Sequence, residues 1–377
     1  MSKSIATPRR RFLAEAGTAV LAACAGDWLR AEDRVPVPPI QERLQRSVAE
    51  APLAMQFRGS SAEECRKWQG EFAAKLRSLL GPHKPPAKWK TSVESSTELD
   101  DHRREALVLT ADGHPPLPVY LLTPLKKAEQ PRAGVLAIHG HGPHGYDPVA
   151  GRDDLPGVAD AIKESRYDYG RQLVRRGYVV AVPCLTPFGR RLGKRDKTPA
   201  CDPCADAFLR LQMFGKLLIA ENLRDCLWSL ELLARHELVD AKRLGCVGLS
   251  YGGRMTMLTA ALEPRVRVAA ISGALNVMQE RVSKPYSCGA QIIPGLLNFG
   301  DVPEIGSLVA PRPCVWEVGS RDSLMPAKWA DEALTRMRRA YMGLGAQDQL
   351  KVDRFEGGHE WSGRVAYPLF EKALARE

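Results

Sequence analysis

The chain has 377 residues, 44% of them apolar and 26% charged, and a formal net charge of +10. That length and apolar content exclude a disordered or fibrous chain and suffice for one large domain with a substantial core. The positive balance comes without a recognisable nucleic-acid module, so no nucleic acid is expected as a partner.

At the start, Thr7-Pro8-Arg9-Arg10-Arg11-Phe12-Leu13 resembles a twin-arginine export signal. The small-residue apolar stretch 14–25 carries one Glu and is too short to remain as a membrane span. Residues 1–33 are therefore expected to be a signal, and the mature protein to work in the periplasm or outside the cell. Leu21-Ala22-Ala23-Cys24 also resembles a lipoprotein cleavage box, and a lipid on Cys24 would be the one route to a membrane. Residues 1–31 hold five Lys/Arg against two acids, which leaves about +7 beyond them, a mild attraction toward anionic surfaces.

Residues 34–104 are expected to be a linker and a helical extension. Val35-Pro36-Val37-Pro38-Pro39 is stiff. Ser61-Ala62-Glu63-Glu64 is a capping box that starts a helix, and Gly81-Pro82 ends it. From 105 to 377 short apolar runs alternate with helical stretches. Strands over 105–109 and 117–122 meet at an Asp112-Gly113 turn. Helices are predicted over 170–176, 217–235 and 325–342. The pattern predicts an α/β fold with a mostly parallel central sheet flanked by helices.

Residues 134–138 read as a strand that runs into His139-Gly140-His141-Gly142-Pro143-His144. Residues 186–214, rich in charge, Pro and Cys, fit neither period and suggest a cap or lid over a site. Their Cys201-Asp202-Pro203-Cys204 is a lone C-x-x-C, better read as a disulfide or plain loop cysteines than as zinc ligands. Cys226, Cys246 and Cys314 lie in apolar runs and are expected to be buried. Arg336, Arg338 and Arg339 read as a solvated helix face.

The most informative segment is Leu244-Gly245-Cys246-Val247-Gly248-Leu249-Ser250-Tyr251-Gly252-Gly253. A serine at such a strand-to-helix turn sits in strained backbone with its hydroxyl raised above the sheet, as a carbonyl-attacking nucleophile requires. A base and an orienting acid should follow in the order Ser, Asp or Glu, His. Asp322 falls on the turn after a predicted strand at 313–319. His359 falls on the loop after another at 350–355, and it is the one histidine beyond His236. Both positions lie where open α/β sheets bind ligands. Glu356 and Glu360 are rival acids ranked below Asp322.

His139, His141 and His144 also spell H-x-H-x-x-H, a spacing that can chelate zinc. Pro143 stands where zinc hydrolases of the metallo-β-lactamase kind place an aspartate. No metal and no cofactor is expected.

Together with Gly177-Tyr178-Val179-Val180-Ala181-Val182-Pro183, Phe188-Gly189-Arg190-Arg191, Phe299-Gly300-Asp301-Val302-Pro303-Glu304 and Gly357-Gly358-His359, these motifs resemble α/β-hydrolases of the dienelactone-hydrolase and acetyl-xylan-esterase-like kind. The resemblance covers residues 105–377. It implies Ser250 as nucleophile, Asp322 as acid, His359 as base, and the backbone N–H groups of Tyr251 and His141 as oxyanion donors. Dienelactone hydrolases use Cys where this chain has Ser250, so ordinary carboxylic esters, among them esters of carbohydrates, are the expected substrates. A serine peptidase or another acyl transferase on the same scaffold is the alternative, followed by a non-catalytic protein that keeps the fold.

Overall fold

The computed structural model describes residues 35, 37–193, 202–282 and 288–376. The export-signal, lipid-attachment and Cys201 readings lie outside them. Nine strands form one sheet in the order β1-β2-β3-β5-β4-β6-β7-β8-β9. These are β1 Lys90–Glu98, β2 His102–Ala111, β3 His114–Pro124, β4 Arg132–Ile138, β5 Val179–Pro183, β6 Val239–Leu249, β7 Val266–Ser272, β8 Cys314–Gly319 and β9 Leu350–Phe355. β1 pairs with β2, β2 with β3 and β3 with β5 antiparallel; from β5 to β9 every neighbouring pair is parallel. The expected α/β architecture is present.

Strand alternation splits the core between the two faces. In β4, Leu136 and Ile138 point one way with Trp316 of β8, while Val135 and Ala137 point the other way with Val315. Helices α2 (Ala62–Leu80), α6 (Leu218–Ala234), α7 (Tyr251–Leu262) and α10 (Ala327–Gly343) cover the first face. Helices α4 (Tyr169–Arg175) and α11 (Ala366–Ala373) cover the second, and the short α3 (Val158–Ser165), α8 (Met278–Val282) and α9 (Val302–Ser307) lie in the connections between strands. Among the described residues no helix is long and apolar enough to cross a membrane.

The extension begins with α1 (Ile40–Ala49), and α2 carries the expected capping box. Glu64 N–H donates to Ser61 Oγ at 3.2 Å, and Ser61 N–H donates to Glu64 Oε2 at 3.0 Å. Phe72, Leu76 and Leu80 of α2 are fully buried. At about 1.5–3 kcal/mol per buried side chain, that stripe is a large part of what holds the extension on the body. Two expectations need correction. The sheet reaches back to Lys90, inside the segment assigned to the helical extension, because β1 is an edge strand exposed at every residue and shows no alternation to read. Arg336 is not part of a solvated face: its side chain is 10% exposed and paired with the buried Glu304, while Arg338 and Arg339 are exposed.

Candidate active site

β6 ends at Leu249 and α7 begins at Tyr251, so Ser250 alone makes the turn, at φ 62° and ψ −121°. Few non-glycine residues adopt a positive φ, and one held there at a strand end is stored strain. The neighbouring glycines are demanded by packing. A Cβ on Gly248 would meet the Gly252 backbone at 2.4 Å, and one on Gly252 would meet the Ile138 oxygen at 2.0 Å. The turn is tied to the next strand by Ser250 N–H donating to Ser272 O at 2.9 Å. Ser250 faces a cavity of about 350 Å³ shared with His141, Arg254, Cys288 and His359.

His359 stands on the loop after β9 and Asp322 on the turn after β8, both at the carboxyl end of the sheet with Ser250. The His359 Nδ1–H donates to Asp322 Oδ2 at 2.7 Å, and Asp322 Oδ1 accepts from Leu324 N–H at 2.9 Å. The Asp322 side chain is 1% exposed. With Nδ1 occupied, the His359 Nε2 is left as the free acceptor, and it has no hydrogen-bond partner among the described residues. Glu356 is turned outward to Arg321 at 3.1 Å. Glu360 accepts from Gly358 N–H at 3.0 Å and pairs with Arg166 at 3.2 Å. Neither rival acid reaches the imidazole through these contacts.

Beneath this loop lies an acid that the sequence did not single out. Glu317, fully buried in β8, accepts the N–H groups of Ser362 at 3.1 Å and Gly363 at 2.8 Å. Burial pushes its carboxyl up to about 7, against the lowering effect of those donors. It anchors the chain just past His359.

The His-Gly loop after β4 divides its histidines among three surroundings. His139 is wholly buried; its Nδ1–H donates to Gly140 O at 2.7 Å and its Nε2 accepts from Leu185 N–H at 2.9 Å. Burial pulls it down to about 4, so it stays neutral. His144 lies beside Gly157: a Cβ added there would stand 3.2 Å from the ring. His141 packs between Phe188 and Tyr251 and lines the cavity. The three do not converge on one ion: both His139 nitrogens are taken.

A different trio does converge. His141 Nε2, Cys204 Sγ and Cys288 Sγ lie within 4.8 Å of one another, with His141 Nε2 to Cys288 Sγ at 3.0 Å. A Cys204 hydrogen bond and His141 hold the Cys288 thiol below its ordinary range, while Cys204 keeps its proton. These atoms can hold a soft cation or, as two sulfurs, a disulfide. Sequence reasoning missed the set because its members come from three distant segments; His141 of the H-x-H-x-x-H and Cys204 of the C-x-x-C were its visible traces. Cys204 sits in α5 (Pro203–Gln212), which packs on the turn Gly289–Gln291 at the cavity edge, so part of 186–214 borders the site. Cys226, Cys246 and Cys314 are fully buried, as expected.

Two backbone donors remain near Ser250. Tyr251 opens α7, so its N–H has no carbonyl one turn back within the helix. The Gly140 N–H is taken by the Tyr167 hydroxyl at 2.5 Å, which leaves the His141 N–H as the next donor along the loop.

Residues 214–280, the stretch around this turn, match the Prolyl oligopeptidase family. The chain is 31% identical over 297 residues to the Bacillus subtilis (strain 168) protein named "Putative hydrolase YtaP", covering 77% of this chain and 94% of the other. It belongs to the α/β-hydrolase superfamily, in one family with that protein. Solved structures share the fold of this hydrolase. A Bacteroides fragilis protein described as a putative acetyl xylan esterase superposes with a TM-score of 0.71 at 18% identity, over 87% of this chain and 84% of the other. A glucuronoyl esterase from Solibacter usitatus does so with 0.61 at 16% identity, over 84% and 94%.

Proposed function

We propose that this hydrolase is an exported serine esterase that cleaves carboxylic esters, among them ester groups of carbohydrates, through an acyl-enzyme. The reading rests above all on one observation: the strained Ser250 shares its cavity with His359, whose Nδ1 is held by Asp322 at 2.7 Å. In this reading Ser250 Oγ attacks the ester carbonyl as His359 Nε2 takes its proton. The oxyanion that forms accepts from the N–H groups of Tyr251 and His141, each worth about 3 kcal/mol when aimed in advance. Collapse expels the alcohol, which receives the proton from Nε2. Water then repeats the attack, gives its proton to Nε2, and releases the acid while Ser250 regains its hydrogen. Asp322 holds the reactive tautomer and stabilises the imidazolium.

The carbohydrate-ester reading draws on the acetyl xylan and glucuronoyl esterases that share the fold, and the export reading on residues 1–33. The family matched over 214–280 favours a peptidase as the second reading. A panel of acetyl, feruloyl, methyl-uronate and lactone esters with peptide amides separates the two. Ester turnover that disappears in Ser250→Ala supports the proposal; turnover of amides alone overturns it.

A further inference from the structure

Arg254 lies one helical turn after Ser250 in α7, on the same helix face, and lines the same cavity. It is 3% exposed, and among the described residues its side-chain hydrogen bonds go to amide oxygens and not to a carboxylate. Its Nη2 donates to Asn276 Oδ1 at 2.6 Å and its Nε to Gln291 Oε1 at 3.3 Å. Both acceptors are neutral amides. They aim the guanidinium without cancelling its charge, and Nη1 is buried with no partner. Asp301 is the acid whose field reaches Arg254, but its oxygens already accept the N–H groups of Met278, Gln279 and Val302. A second cation, Arg281, lines the cavity as well. Burial lowers Arg254 to about 9, so it still carries its charge at neutral pH.

A buried cation without a paired carboxylate is costly, and a planar guanidinium with a free N–H matches a carboxylate. From these observations we infer that Arg254, seconded by Arg281, is a carboxylate subsite, so the preferred substrate is an ester that also carries a free carboxylate, such as an ester of an acidic sugar or a dicarboxylic half-ester. This rests on the esterase reading of the same cavity.

Two substrate pairs locate the charge. 4-Nitrophenyl hemisuccinate against 4-nitrophenyl butyrate places it on the acyl side, and acetylated methyl galacturonoside against acetylated methyl galactoside places it on the alcohol side. Wild type should favour the charged member of one pair by about tenfold or more in kcat/KM. That ratio should fall toward one in Arg254→Gln and survive in part in Arg254→Lys. Equal kcat/KM within both pairs in wild type overturns the inference, as does a preference that persists in Arg254→Gln. Should Arg254→Gln fail to fold, Arg281→Gln carries the same comparison, with a weakened preference expected and an unchanged one contrary. Calorimetry on folded Ser250→Ala protein, with galacturonate and succinate against galactose, decides the subsite even where no ester is hydrolysed. Binding of either acid over the neutral sugar supports it, and equal or absent binding overturns it. Labelling of wild-type Ser250 by a fluorophosphonate reports separately on the esterase reading.

Discussion

The His359 imidazole rests against Gly273: a Cβ at that position would stand 2.7 Å from its Cε1. Gly273 follows β7 at φ +57°, where a side chain is strained in any case. Gly273→Ala should therefore displace the ring from Asp322 and from Ser250 with the sheet intact. We expect kcat to fall roughly 100-fold, as a displacement of about 1 Å can cost that much, and the melting temperature to drop by a few degrees. Steady-state kinetics beside a thermal melt checks this; unchanged kcat would show that the ring does not work from its observed place.

Ser250→Ala and His359→Ala should each lose roughly 1,000-fold or more in kcat, and the double variant hardly more, because a catalytic unit is not additive. Asp322→Asn should also be severely impaired. Glu356→Gln and Glu360→Gln should stay within a few-fold of wild type, since their carboxylates are engaged with Arg321 and with Gly358 and Arg166. Near-normal turnover in Asp322→Asn with collapse in either Glu variant would move the acid.

Two buried groups make opposite contributions to stability against pH. His139 stands at about 4, below its ordinary 6.5, so between those values the unfolded chain binds a proton that the folded chain does not. Its contribution falls as pH falls. Glu317 stands at about 7, above its ordinary 4.5, so between those values the folded chain keeps a proton that the unfolded chain has lost. Its contribution falls as pH rises. Removing the second group should expose the first: Glu317→Gln should gain stability relative to wild type between pH 5 and 7, by on the order of 2 kcal/mol. Urea unfolding at the two pH values measures the slopes. Equal slopes in the two proteins would contradict the assignment.

Esterase activity should survive exhaustive treatment with EDTA, because no step assigned to Ser250, Asp322 or His359 passes through a metal. Activity lost to EDTA and restored stoichiometrically by zinc would instead make His141, Cys204 and Cys288 a working metal centre.

Much of this molecule was legible in the chain itself wherever the signal is local. The G-x-S-x-G turn names its own geometry, since a serine at positive φ between a buried strand and a helix needs glycine on either side. Apolar runs of strand length alternating with helices imply the parallel sheet, and Ser61 with Glu64 implies the start of α2. Asp322 and His359 could be expected at the carboxyl end of the sheet because each follows its strand directly, so order along the chain stands in for position above the sheet.

What the tertiary structure alone decided are relations between distant segments, for which periodicity and capping carry no information. Edge strand β1 is exposed on both faces, with Val93 as its one apolar residue, and is recognisable only by its pairing with β2. His139, His141 and His144 look equivalent in the chain, yet the fold makes the first a neutral buried brace, leaves the second at the cavity, and sets the third beside Gly157. The meeting of His141 with Cys204 and Cys288, the support of Glu317 under the His359 loop, and the Arg254 Nη1 left without a partner among the described residues all arise from packing. Charge, burial and partner are properties of a place in the folded molecule, and the chain specifies that place only through the whole fold.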